Sequence, residues 1–172
     1  MKRLMSKTLA AALFCGAMLL TLTACGSDND SKKTDDKIIG VQAQYYVAIK
    51  DFSFEGYFFE IEYTNESGQM EKVVLDDTPK FEKSVLVKGL PVAVELKVEA
   101  KPRNKASLTK SEYDCAFDYG LGAASVTSSG KSWASYALTP NNVALYGMSV
   151  DNMGSVNRRM VVTADKDGNL SW

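Results

Sequence analysis

The sequence predicts an all-β domain over residues 41–172, built as an antiparallel β-sandwich. Apolar and polar residues alternate with a period of two over most of this region, as in strands that bury one face. Turn-forming residues recur about every ten residues, the spacing of sandwiches and small barrels. No window of 12 residues beyond the N-terminal segment carries the apolar stripe of an amphipathic helix.

The first half of the domain gives the clearest strands. The alternation predicts strands over 41–50, 57–63, 69–75, 81–88 and 92–101. The turn residues Asn65-Glu66-Ser67-Gly68 separate the second strand from the third, so these two are expected to form a hairpin.

The second half is less regular. Residues 102–112 are polar and predict a long loop, and residues 113–119 alternate as a strand. Residues 120–131 are rich in Gly, Ser and Ala, which indicates either a mobile loop or a weak strand. Further strands are predicted over 132–138, 143–150 and 158–164, and Asp167-Gly168 predicts a hairpin turn before a last strand over 169–172.

The order of strands and turns in one stretch resembles a known class of sandwich. The succession of Phe58–Thr64, a turn, Lys72–Leu75 and then Phe81–Lys101 is similar to immunoglobulin-like and fibronectin-like domains. The paired cysteines and core tryptophan of antibody domains are missing. A small β-barrel of the lipocalin type is the alternative.

The N-terminal segment, residues 1–24, has the features of a signal peptide. Lys2, Arg3 and Lys7 precede a mostly apolar run over 9–22. Such a run has the length of the apolar core of a signal peptide and is shorter than the roughly 20 residues that span a bilayer.

The residues that end this segment are Leu22-Thr23-Ala24-Cys25, followed by Gly26 and Ser27. They resemble the lipobox of bacterial lipoproteins. The resemblance implies cleavage before Cys25, a diacylglycerol thioether on its sulfur and acylation, typically by palmitate, of the new amine. Two or three acyl chains hold a domain at a membrane far more firmly than one.

Residues 25–40 are then expected to form the lipidated end and a flexible polar tether. Its acidic residues resemble the surface-export tether of some Gram-negative lipoproteins, although Lys32 and Lys33 interrupt them. The expected location is the bacterial envelope, on the outer membrane, facing either the periplasm or the cell surface.

Composition excludes several kinds of function. Without the signal peptide the chain carries 17 basic and 21 acidic side chains, a net charge of −4, so it lacks the basic surface that nucleic acid requires. The chain has no histidine, which excludes histidine-based catalytic triads and histidine-ligated metals. No Gly-rich phosphate loop or CxxC pair is present, and no cofactor or metal site is expected.

Three aromatic residues are the candidates for ligand binding. Phe58 shares the polar face of its predicted strand with two glutamates, and Tyr46 lies between Gln44 and Ala48 on another polar face. If both are exposed on adjacent strands, they form a platform for a sugar or a partner protein. Trp133 either joins this platform or fills the core.

Other chemistry-bearing residues have simpler interpretations. Cys115 is expected to be a buried apolar residue, because no histidine is present to activate its thiol. Glu60 and Glu62 fit the solvent face of a strand better than the carboxylate pair of a glycosidase. The segment 165–169 has its glycine in the fourth position of a calcium loop instead of the sixth, so it is interpreted as a turn.

These observations favour a membrane-anchored lipoprotein that is not an enzyme. Its β domain is expected to bind a partner protein or glycan, or to support an envelope structure. A carrier with an internal cavity for a small molecule is the alternative, and a carboxylate-based glycosidase is the third hypothesis.

Overall fold

Ten β-strands in two antiparallel sheets make up residues 36–172, the part of the chain that the computed structural model describes. The strands are β1 Ile38–Ile49, β2 Tyr57–Thr64, β3 Met70–Leu75, β4 Lys80–Lys88, β5 Val92–Pro102, β6 Glu112–Thr127, β7 Ser132–Tyr136, β8 Asn141–Ser149, β9 Val156–Ala164 and β10 Leu170–Ser171. Two short 3₁₀ helices, Asp51–Glu55 and Lys105–Ser107, lie in the connections.

Sheet A has β1 and β6 at its centre. β4 pairs with one edge of β1, and β6 pairs with the other. The free side of the 16-residue β6 is shared by two strands, β8 along its first half and β7 along its second half. The outer edge of sheet A is therefore formed by β7 and β8 together.

Sheet B has the order β10-β9-β5-β2-β3. Two of its neighbouring pairs are hairpins, β2 with β3 and β9 with β10. Asn65 supports the first turn, since its side-chain oxygen accepts hydrogen bonds from the backbone N–H groups of Ser67 and Gln69. Both predicted hairpins are confirmed.

The core lies between the two sheets and takes every second residue of the long strands, because successive side chains of a strand point to opposite faces. Aromatic rings join the sheets. Tyr45 of sheet A contacts Tyr63 of sheet B with ring centres 5.3 Å apart, and Phe117 contacts Phe59 edge-on at 5.4 Å. The Tyr45 hydroxyl also donates a hydrogen bond to the Thr64 carbonyl across the core.

The outer face of β6 is made of small residues because another segment crosses it. A Cβ atom on Gly120 would lie 2.9 Å from Cδ1 of Leu138, and one on Gly122 would lie 3.2 Å from Cβ of Leu138. Gly120, Gly122 and Ala124 are buried although they point away from the core. The Gly- and Ala-rich composition of residues 120–124 thus reflects close packing. Of the two alternatives for residues 120–131, the strand is confirmed as far as Thr127, where β6 ends.

The predicted antiparallel β-sandwich is confirmed as an architecture. The resemblance to immunoglobulin-like domains is supported at this level only. The alternative of a closed barrel is wrong, because the strands form two separate sheets with their own edge strands. The first strand begins at Ile38, three residues before the predicted start of the domain. None of the helices within residues 36–172 is long and apolar enough to cross a membrane.

The predictions for the signal peptide, for lipidation of Cys25 and for most of the tether fall on residues 1–35, outside the described residues. They stay predictions.

Candidate functional site

The best candidate for a binding site is a shallow open groove on the outer face of sheet B, where β2 begins and β5 ends. It has a volume of about 380 Å³ and is lined by Phe58, Val74, Asp76, Arg103, Asn104 and Ser107. Phe58 is the second residue of β2 and pairs across the sheet with Lys101. Its neighbour Tyr57 is fully buried, so alternation along the strand turns the Phe58 ring outward.

Arg103 holds the groove together. Its Nε donates to the Phe54 carbonyl at 2.8 Å, and its Nη2 donates to the Asp76 carbonyl at 2.9 Å. The same Nη2 lies 2.6 Å from a carboxylate oxygen of Asp76, and the Arg103 backbone N–H donates to the Gly56 carbonyl. One side chain therefore joins the end of β5 to the segments that follow β3 and precede β2.

The far wall of the groove is the loop that contains the second 3₁₀ helix. The Asn104 side-chain oxygen accepts a hydrogen bond from the Ala106 N–H and caps this helix. The Ser107 hydroxyl donates to the Asn104 carbonyl at 2.7 Å. The polar residues of this segment predict a loop, but they carry no signal for a site, because the residues that face Phe58 are distant in the chain.

A network of ion pairs covers the outer face of sheet B beside the groove. Glu60 lies between Lys72 and Lys101, with a carboxylate oxygen 2.7 Å from Nζ of Lys101. Glu62 lies 3.4 Å from Nζ of Lys97. The hydrogen bond from Lys101 and then that from Lys72 lower the pKa of Glu60. A glycosidase acid needs a raised pKa, so the lowered pKa of Glu60 does not suit it to that role.

The three predicted aromatic residues do not form one platform. Tyr46 lies on the outer face of sheet A, opposite Gly120 of β6 and Glu82 of β4. Phe58 lies on the outer face of sheet B, on the other side of the molecule. Trp133, on β7 of sheet A, is 68% exposed and therefore does not fill the core. Of the three, Phe58 is the one that lines the groove.

Cys115 is buried between the sheets, as its alternation with aromatic residues predicted. Burial away from water raises the pKa of its thiol to about 12, so the reactive thiolate is scarce at neutral pH. This environment fits the interpretation of Cys115 as a core residue.

The segment 165–169 forms the tight turn between β9 and β10. The Asp165 carboxylate accepts hydrogen bonds from the backbone N–H groups of Asp167 and Asn169 and from the Asn169 side chain. The bonds from Asn169 lower the pKa of Asp165. Gly168 takes a φ of 80°, which favours glycine. Within residues 36–172, no group of three or more Cys, Asp or Glu side chains is arranged to hold a metal ion.

Ser53 lies in the 3₁₀ helix just before β2, the strand that carries Phe58, and was not among the predicted site residues. Its hydroxyl is fully buried and donates to the Ala116 carbonyl, while the Ala116 N–H donates back to the same oxygen. This pair of bonds ties the first 3₁₀ helix to β6 and so sets where β2 starts. A lone serine between two phenylalanines gives no sequence signal for such a role.

Comparison with known proteins finds no relative of this chain: no family model, no curated protein and no solved structure matches it.

Proposed function

We propose that this chain is a lipid-anchored, non-enzymatic protein of the bacterial envelope whose β-sandwich binds a glycan in the groove around Phe58. The observation that carries the proposal is the position of Phe58. It is the one aromatic residue among the outward-facing strand positions of sheet B within residues 36–172, and it lies in the groove.

The groove has the two features that a sugar ring needs. The apolar C–H face of a sugar packs on an aromatic ring, and its hydroxyl groups require hydrogen-bonding side chains placed around that ring. Phe58 and Val74 supply the apolar surface, and Asp76, Asn104 and Ser107 supply polar groups. Because Arg103 fixes the walls by four contacts, little ordering cost is left for binding.

An open groove suits a chain-like ligand better than an enclosed small molecule. The space between the sheets is filled by core side chains, including Tyr45, Phe59 and Phe117. The hypothesis of an internal carrier cavity therefore has no support from the described residues, and a surface ligand is favoured.

A non-enzymatic role is supported by the state of the candidate catalytic groups. Lysine contacts lower the pKa of Glu60, and burial raises that of the Cys115 thiol. Both shifts move the group away from the value that acid–base or thiol chemistry requires.

The binding proposal is tested with a panel of bacterial and host polysaccharides against the purified protein. Phe58→Ala is expected to weaken binding at least about tenfold, which corresponds to about 1.4 kcal/mol. The matched control is Tyr146→Ala, since Tyr146 is 67% exposed and lies on sheet A. Equal binding by both variants would refute the groove as the site, and binding to a protein alone would replace the glycan by a partner protein.

The anchor is tested separately by metabolic labelling with palmitate in a bacterial host. Cys25→Ala is expected to abolish labelling. Cys15→Ala is the control, because Cys15 lies in the segment that the lipobox resemblance predicts to be removed. Equal labelling of both variants would contradict lipidation at Cys25.

A further inference from the structure

The outer edge of sheet A differs in its charge from the edges formed by β4 and β3. β8 pairs with β6 on one side, and no strand within residues 36–172 pairs with its other side. Residues 132–150, which include β7 and β8, contain no Asp, Glu, Lys or Arg. By contrast, β4 carries Lys80, Glu82, Lys83 and Lys88, and β3 carries Glu71 and Lys72.

Natural proteins protect exposed strand edges with charged side chains, proline, bulges or short length, because unpaired backbone groups otherwise pair with another strand. β8 is nine residues long and has no charge. Its pairing with β6 is regular from Asn141 to Leu145 and becomes irregular beyond that point. Gly147, with a φ of 63°, donates its N–H to the Asp114 carboxylate there. The protecting irregularity thus covers the second half of β8 and leaves Asn141–Leu145 as a regular strand edge.

The side chains of this segment are suited to close approach. Asn142 and Ala144 are exposed and short, while Val143 is buried and Leu145 half-buried against the core. Along Asn141–Leu145, a strand added beside β8 would meet only the short side chains of Asn142 and Ala144 on the outer face, with the exposed Tyr146 just beyond them. It would extend the apolar inner face of sheet A.

We propose that Asn141–Leu145 pairs antiparallel with the same segment of a second copy of this chain, so that two copies of sheet A form one continuous sheet. The occupant is a second copy because an uncharged segment can lie opposite itself about a two-fold axis without like-charge contacts. The same arrangement at β4 or β3 would bring charged side chains close together. An interface of five residues a side is small, so the dimer is expected to be weak, with a dissociation constant on the order of 100 µM.

The proposal is tested on the full chain, purified in a mild non-ionic detergent, by site-specific cross-linking. Ala144→Cys is treated with a short bismaleimide over a range of protein concentrations. The control is Ala93→Cys, since Ala93 is also exposed but lies on β5 in sheet B. The covalent dimer is expected to form at least about tenfold faster with Ala144→Cys than with the control at concentrations near the expected dissociation constant. Equal rates would overturn the proposal.

A second measurement uses charge instead of a thiol. Ala144→Lys places two lysines close together in the paired dimer and is expected to return the light-scattering mass to that of a monomer, whereas Ala93→Lys is expected to keep the wild-type mass. A wild-type protein that stays monomeric up to about 1 mM would overturn the proposal. Cross-linking of Ala144→Cys in cells to another protein, with no homodimer, would also overturn self-pairing and identify an extended segment of that protein as the occupant.

Discussion

Two buried tyrosines with opposite hydrogen-bond states give a sharp test of the fold. Tyr57 begins the strand that presents Phe58 to the groove, and its hydroxyl is buried with no hydrogen-bond partner among the described residues. Burial raises the pKa of Tyr57, in agreement with a poorly solvated hydroxyl. Tyr45 is buried to the same degree, but its hydroxyl donates to the Thr64 carbonyl at 2.8 Å.

Replacing each tyrosine by phenylalanine removes one oxygen and changes little else. A buried polar group without a partner costs about 1–3 kcal/mol, so Tyr57→Phe is expected to raise the free energy of unfolding by about 1 kcal/mol after allowance for lost packing. Tyr45→Phe leaves the Thr64 carbonyl without this donor and is expected to lower it by about 1–2 kcal/mol. For a domain of this size, each kcal/mol corresponds to roughly 3–5 °C in Tm.

The assay is equilibrium urea unfolding of residues 36–172, followed by far-ultraviolet circular dichroism, with thermal melts in parallel. Both variants are compared at one pH and one protein concentration, because dimerisation would make the apparent stability depend on concentration. A loss of stability in Tyr57→Phe equal to that in Tyr45→Phe would refute the assignment of their hydroxyl groups. Tyr57→Phe is also expected to leave groove binding unchanged, because its side chain points away from the groove.

Three further outcomes follow from the described contacts. Gly122→Val is expected to destabilise the domain by about 1–3 kcal/mol, measured by urea unfolding, because its side chain would collide with Leu138; unchanged stability would contradict the close crossing. Contacts from Lys101 lower the pKa of Glu60 in the folded state, so its ionised form stabilises the domain at pH values above the ordinary pKa of 4.5. This stabilisation is lost as the pH falls through the lower folded-state pKa. The stability difference between wild type and Glu60→Gln should therefore be constant at neutral pH and shrink below about pH 4.5, as urea unfolding across pH will show; a difference that grows in acid would refute the sign. In a fragment of residues 36–172, Cys115 should react with a thiol reagent only as fast as the domain unfolds, since its thiol is buried with a pKa of about 12. Rapid labelling of the folded fragment would contradict the buried position of Cys115.

Strand positions were predictable because their signal is local. A strand that buries one face shows it in its own residues, as β1 and β5 do by alternating apolar and polar side chains. The same alternation predicted the inward position of Cys115, and turn-forming residues predicted the hairpin turns at 65–68 and 167–168. The continuation of β6 through residues 120–127 was harder to predict. Its glycines are required because Leu138, which lies outside this strand, packs closely against them.

The candidate site was predictable only in part. The outward direction of the half-buried Phe58 follows from its place on a polar strand face, but the residues that surround it in the groove were not predictable. Asp76 and Arg103 are 27 residues apart in the chain and meet through a hydrogen bond to a backbone carbonyl as well as an ion pair. No local pattern marks such a pair, since polar residues after a strand are equally typical of any solvated loop.

By itself, the sequence determined where the regularly alternating strands lie and which side of those strands faces inward, because both are set by neighbours along the chain. Apart from the two hairpins, which the turn residues predicted, only the tertiary structure decided which strands share a sheet. The pairing of the strands places Tyr46 and Phe58 on opposite faces of the sandwich and leaves the uncharged β8 at an edge of sheet A. It also brings the residues that line the groove together around Arg103. Strand pairing depends on how all the apolar faces are buried together, so it is a property of the whole domain that no single segment carries.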